Sequence, residues 1–359
     1  MYENWLKPAP PPDETLPTYS FGRHLQQHAR QCPVGLIGLN EQVANKVRTF
    51  LNRTVWDFDG LPIADLGNLR KTTTEFAIPL LRELHASGIT PILIGGSPKY
   101  FASQYLSFNE LNRQVSLLNI DSQVELSNSG EDGKVLDPAI HRKGRKAFHL
   151  THIGSQQHLV DPAIWKLFDA NSYEAIRLGL ARKDIADLEP QIRDADIASL
   201  NIRALHHNDA PARKATQPSG FDLQETCQMA YYAGNSDKLN SFGVYGLNTK
   251  DTDQKNIDLT AASYAQLIWY FLQGFSRRAG DFPITTERMM EYVVEMDDTT
   301  KLTFLRSPTT NRWWCEIPLA QFHGDARHRL IACSYQDYLT TSSEQVLPDR
   351  LVAAFRRYA

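Results

Sequence analysis

Pro91-Ile92-Leu93-Ile94-Gly95-Gly96-Ser97-Pro98 is an apolar run too short for a helix, closed by two glycines that permit a tight turn and then by polar residues. The same arrangement occurs twice more. Residues 115–120 deliver Asp121-Ser122-Gln123-Val124-Glu125, and Ala195-Asp196-Ile197-Ala198 leads into Ser199-Leu200-Asn201-Ile202-Arg203. Continuous apolar runs of strand length, without polar alternation, fit parallel strands buried on both faces. In open α/β sheets functional groups gather just beyond the carboxyl ends of such strands, where all three polar segments fall.

The flanking sequence supports that reading. Val34-Gly35-Leu36-Ile37-Gly38-Leu39 reads as the first buried strand and 41–51 as the helix after it. Leu61-Pro62-Ile63-Ala64-Asp65-Leu66-Gly67 is a short strand. Residues 74–87 carry Phe76, Ile78, Leu80, Leu81 and Leu84 at helical spacing. A helix and strand pattern begins at 175–180, 221–234 reads as a helix with Leu223, Cys227, Met229 and Ala230 inward, 241–248 as a strand, and 259–275 as a strongly apolar helix. The alternation predicts an α/β fold, a parallel sheet flanked by helices on both faces. Residues 7–17 are too rich in proline for a helix or a central strand. From about residue 287 short strands (290–295, 301–305, 313–317) and a closing helix (351–358) replace the pattern. The expected organisation is an extended arm at 1–20, the α/β domain at 21–285 and a small C-terminal extension packed on it at 286–359.

The chain has 359 residues, 42% of them hydrophobic and 22% charged, enough to bury a large core. Its net charge of -3 gives no global support for a nucleic-acid or anionic-membrane partner. The basic run His141-Arg142-Lys143-Gly144-Arg145-Lys146 reads as a solvated loop. Cys32, Cys227, Cys315 and Cys333 form no CxxC pair, which points away from a zinc site or disulfide framework. Cys227, on the apolar side of its helix, and Cys315, beside two tryptophans, read as core residues, not nucleophiles. Met1-Tyr2-Glu3-Asn4-Trp5 lacks a signal-peptide start and no run is long enough for a membrane span, so a cytoplasmic location is expected. There is no GxSxG elbow, GxGxxG fingerprint or P-loop.

With these segments in view, the chain resembles the ureohydrolase superfamily of arginase, agmatinase and formimidoylglutamase, and within it a degenerate formimidoylglutamase-like branch of Bacteroidetes. The resemblance rests on Ala64-Asp65-Leu66-Gly67, Pro91 to Gly96, His152-Ile153-Gly154-Ser155-Gln156, Arg193-Asp194-Ala195-Asp196 and Phe242-Gly243-Val244-Tyr245, in that order. In the tail, Arg306-Ser307-Pro308 and Arg312-Trp313-Trp314 add to it. It implies an arginase-like fold. Active members bind two manganese ions through six side chains in Gly-Gly-Asp-His, Asp-Ala-His-x-Asp and Ser-Phe-Asp-x-Asp. Carried onto this chain, the first histidine falls on Pro98. The second motif becomes Asp121, Gln123 and Glu125, and the aspartates of the third become Asn201 and Arg203. The family's substrate-side glutamate falls on Gly246.

A site of four carboxylates and two histidines balances two dications, whereas Asp121, Glu125 and Arg203 sum to about -1. A guanidinium cannot deprotonate to become a ligand. The resemblance therefore implies that Arg203, aided by Lys99, pairs with Asp121 and Glu125 where the ions would lie, with no metal, no cofactor and no catalytic residue. His149, His152, His158, His206 and His207 could supply replacement ligands, but no HxH or HExxH spacing supports this. Trp313 and Trp314 should point to opposite faces of their strand. One would seal the extension, and the other, beside Arg312, is a candidate interface anchor. The expected function is that of a non-catalytic ureohydrolase-like protein acting through an unidentified protein partner, as a homo-oligomer or in a larger assembly. Two alternatives stay open: a C–N hydrolase of linear amidines with an unusual manganese site, and a small-molecule sensor using the old cleft.

Overall fold

The computed structural model describes residues 2–27, 31–108, 114–141, 146–214, 217–250, 252–296, 300–317 and 329–358. Residues 142–145 of the basic run lie outside them. Nine strands build the main sheet: β1 (Leu6–Lys7), β2 (Val34–Gly38), β3 (Ile63–Leu69), β4 (Thr90–Ile94), β5 (Ser116–Ile120), β6 (His149–Ser155), β7 (Glu174–Arg177), β8 (Ile197–Asn201) and β9 (Ser241–Tyr245). Their order is β1-β3-β2-β4-β9-β8-β5-β6-β7, parallel throughout except for the antiparallel β1. Every residue of β2, β4, β5, β8 and β9 is buried, which is why those strands read as unbroken apolar runs.

Nine helices belong to this part of the described chain: α1 (Glu41–Leu51), α2 (Thr74–Ala86), α3 (Tyr100–Ser107), α4 (Asp137–Ile140), α5 (Pro162–Ala170), α6 (Leu178–Ala181), α7 (Glu189–Arg193), α8 (Leu223–Gly234) and α9 (Gln254–Ser276). Asn40 caps α1, and a reciprocal Asp222–Glu225 capping box opens α8. Two apolar clusters, one on each face, cement the layers: one gathers α1, α8 and α9, the other α2, α3 and α5. No described helix is long and apolar enough to cross a membrane. The arm contributes only the two-residue edge strand β1 before its prolines; Leu6 is buried against Leu69 on β3. Proline lacks the donor needed to extend the pairing.

The tail forms a separate antiparallel sheet of β10 (Met290–Glu295), β11 (Lys301–Arg306), β12 (Trp313–Glu316) and β13 (Leu330–Cys333), with α10 (Tyr335–Glu344) and α11 (Asp349–Tyr358). Trp313 and Trp314 do face opposite ways, but both faces are covered and both rings are buried, at 5% and 2% exposure. Trp314 packs with Phe282 and under the Arg193 guanidinium of α7, 4.4 Å from the ring centre. Trp313 stacks on Tyr338 of α10 and packs on Tyr292. Arg312 is spent on Glu189 and Asn235. The expectation of an exposed anchor at Arg312-Trp313-Trp314 is therefore corrected: α10 and the main domain occupy the two faces.

Candidate functional site

The strand order sets β4, β9, β8 and β5 side by side, so their carboxyl ends form one rim. Gly95 to Pro98, Gly246, Asn201 to Arg203 and Asp121 to Glu125 follow those four strands and are brought along it. Asp121 leaves β5 almost fully buried, at 3% exposure. Arg203 reaches it from the single 3-10 turn after β8, where Asn201 caps the turn by accepting the Arg203 amide at 3.2 Å.

The guanidinium meets Asp121 edge to edge. Arg203 Nε lies 2.5 Å from Oδ1 and Nη2 lies 2.7 Å from Oδ2, and Nη2 also reaches Glu125 Oε1 at 2.5 Å. This is the bidentate fork of a strong arginine–carboxylate pair, extended to a second acid. Burial alone would lower the arginine's pKa, but the two acids outweigh it and raise the value, so the cation is fixed. Asn201 Nδ2 donates to Asp121 Oδ2 at 3.0 Å, and the Gln123 backbone N–H lies 3.3 Å from Oδ1. Both oxygens of Asp121 thus accept from two donors each.

The surroundings hold this arrangement in place. His152, fully buried on β6, pairs in register with Asn119 on β5. The Asn119 amide faces its Nδ1 at 3.0 Å, leaving Nε2–H to donate to the Asp121 carbonyl at 3.0 Å. Burial, with Arg203 adding against the pull of that bond, holds His152 neutral with a pKa of about 3. Arg213 donates to the carbonyls of Arg203, Leu205 and Gln217, bracing the loop behind the guanidinium. Neither brace gave a signal in the sequence: the meeting of Asn119 with His152 depends on strand register, and Arg213 lies ten residues past Arg203 on a loop. Gly246 has φ +98°, and a Cβ there would stand 2.5 Å from Asn201 Oδ1.

Other expected participants stand apart. Lys99 is exposed where α3 begins and pairs with neither acid; this corrects its expected part in the bridge. The turn made by Ser97 and Pro98, whose carbonyls accept from Tyr100 and Phe101, commits the chain there to starting the helix. His149 is buried near the amino end of β6 against Arg357, His158 is exposed, and His206 turns to Pro218 and Arg182. Among the described residues no three His, Cys, Asp or Glu side chains are grouped to hold a metal ion. All four cysteines are buried and unbridged.

No protein-family model and no curated protein matches the chain. Solved structures do. The chain is similar to a Trypanosoma cruzi formiminoglutamase with Mn2+2, at 16% identity and TM-score 0.62 over 71% of this chain and 97% of that one. It is similar to a formimidoylglutamase from Bacillus subtilis at 15% identity and TM-score 0.63, covering 74% and 94%. It is also similar to the agmatine ureohydrolase of Thermoplasma volcanium at 14% identity and TM-score 0.56, covering 74% and 96%. The chain has the arginase fold. At these identities the likeness is one of fold, and the small antiparallel sheet is added at its C-terminus.

Proposed function

We propose that this arginase-fold chain is a pseudoenzyme, without a dimanganese site and without hydrolytic activity, and that it acts through contacts with other proteins. The observation that carries this is the Arg203 guanidinium, seated at 2.5 to 2.7 Å on the two acids that would otherwise be the strongest metal ligands of the rim. The Trypanosoma cruzi neighbour is described with Mn2+2. The residues here do not suit such a pair of ions. Pro98 offers no donor atom, Asn201 is neutral, and an ion between Asp121 and Glu125 would share its space with a fixed cation, so no hydrolytic step is derived through a metal.

The partner-binding half of the proposal draws on a different surface from Arg312 and the tryptophans. The rings of His24, Trp56, Phe58, Trp269 and Tyr270 run in contact at 5.0 to 5.6 Å, with Tyr270 exposed at one end. Tyr19 and Val55 are also exposed here, and their carbonyls bond Trp56 and Trp269. Phe58 is buried and Trp56 and Trp269 are half-buried, so Tyr19, His24, Val55 and Tyr270 form the exposed surface that we assign to association.

The test is hydrolysis of formiminoglutamate, agmatine and arginine by protein loaded with manganese. Turnover should not exceed that of an Asp121→Ala variant with any of the three. Manganese-dependent turnover that disappears in Asp121→Ala would overturn the proposal.

A further inference from the structure

We infer that Asp121, Glu125 and Asn201 form a guanidinium-binding site whose resident ligand is the chain's own Arg203 side chain, so that removing this side chain opens a pocket for a small free guanidinium ion. The inference rests on the reading of the cleft as metal-free and deepens it by naming what the cleft recognises.

The geometry is selective for shape as well as charge. Asp121 presents both oxygens to one edge of a planar cation, at 2.5 and 2.7 Å. Glu125 takes a second proton from the shared nitrogen at 2.5 Å, outside the Asp121 fork. An ammonium ion has one nitrogen and cannot span the two Asp121 oxygens in that fork. Urea has the shape but no charge to offset two acids. A divalent metal pair needs several anionic donors around it, and beyond the two acids the corresponding positions carry only the neutral amides of Gln123 and Asn201 and the side chain of Pro98, which has no donor.

The receptor half stands independently of its occupant. Asp121 is oriented by Asn201 Nδ2, by the Gln123 amide and, through its own carbonyl, by His152. Arg213 holds the 203–205 backbone, so losing the Arg203 side chain leaves the loop braced. With Arg203 in place Asp121 is 3% exposed, and Glu125 beside it, whose side chain is 30% exposed, gives access from solvent.

The experiment is calorimetric titration and thermal unfolding of full-length Arg203→Ala with methylguanidinium as the probe. The variant should melt several degrees below the parent, bind methylguanidinium at one saturable site and regain most of the lost Tm. The parent, whose site is filled, should show neither effect. Urea, ammonium and manganese should not substitute, and Asp121→Asn placed on Arg203→Ala should abolish the binding. An Arg203→Ala protein as stable as the parent and indifferent to methylguanidinium overturns the inference, as does equal binding by the double variant or preferential uptake of manganese. If Arg203→Ala does not fold alone, it should fold in millimolar methylguanidinium; failure in both conditions also overturns it. Manganese-dependent hydrolysis by the parent would instead refute the pseudoenzyme reading, so the two failures are distinguishable.

Discussion

Arg203 and Asp121 depend on each other more than either stabilises the fold. A buried ion pair need not exceed a well-packed apolar substitute, but taking away one member leaves the other charge buried without compensation. Asp121, 3% exposed with four donors on its two oxygens, would lose two of those donors. Arg203→Ala should therefore cost about 3–5 kcal/mol of unfolding free energy. Denaturant unfolding measures it, and Asp121→Asn combined with Arg203→Ala should cost less than the sum of the single changes. A loss below about 1 kcal/mol would mean the pair behaves as a screened surface bridge. Gly246 obeys the same local logic. Its φ of +98° disfavours any side chain, and a Cβ at 2.5 Å from Asn201 Oδ1 would displace the amide that orients Asp121.

At the scale of elements, what could be read from the sequence followed burial. The strands at 34–38, 90–94, 116–120, 197–201 and 241–245 are covered on both faces, so their apolar runs announce them. The strand His149–Ser155 is equally buried but carries His149, Thr151 and His152. These polar groups are tolerated because Asn119 and Asp121 meet His152, Arg357 meets His149 and Thr151 pairs with His149, and such partners are invisible along the chain. The four-residue strand at 330–333 and the helix at 335–344 had too little pattern to be foreseen. The meeting of Asp121, Glu125 and Arg203 followed from their places at strand ends. The absence of Lys99 and the bond from Asn201 to Asp121 depend on side-chain direction, which spacing does not give.

His149 ties the last helix, Asp349–Tyr358, to the main sheet through Arg357, 2.7 Å from Nε2. Burial first, and then Arg357, holds its pKa at about 4 against an ordinary 6.5, with Glu174 pulling the other way. The unfolded chain therefore takes up this proton between pH 6.5 and 4 while the folded chain does not. Stability from this group is complete above about pH 6.5 and falls as pH drops towards 4, by up to roughly 1.4 kcal/mol per unit. Unfolding free energy measured against pH should show this slope, reduced in His149→Gln. An unchanged slope in that variant would assign the effect to other groups.

For the whole molecule, the extension and the rim lie at opposite ends of the sheet. Arg193 over Trp314, Arg312 on Glu189, Arg350 on Asp187 and Arg357 on His149 fasten the extension beside the short helix Glu189–Arg193 and the amino end of the strand at 149–155. The carboxyl-end rim, where open α/β sheets gather functional groups, is left to a carboxylate pair closed by an arginine. In the function proposed above, this closure replaces metal. Its most direct test is the metal content of the unsubstituted protein, produced and dialysed in manganese and measured by mass spectrometry. No stoichiometric metal is expected; one or two manganese ions per chain would rule out a pseudoenzyme closed by Arg203.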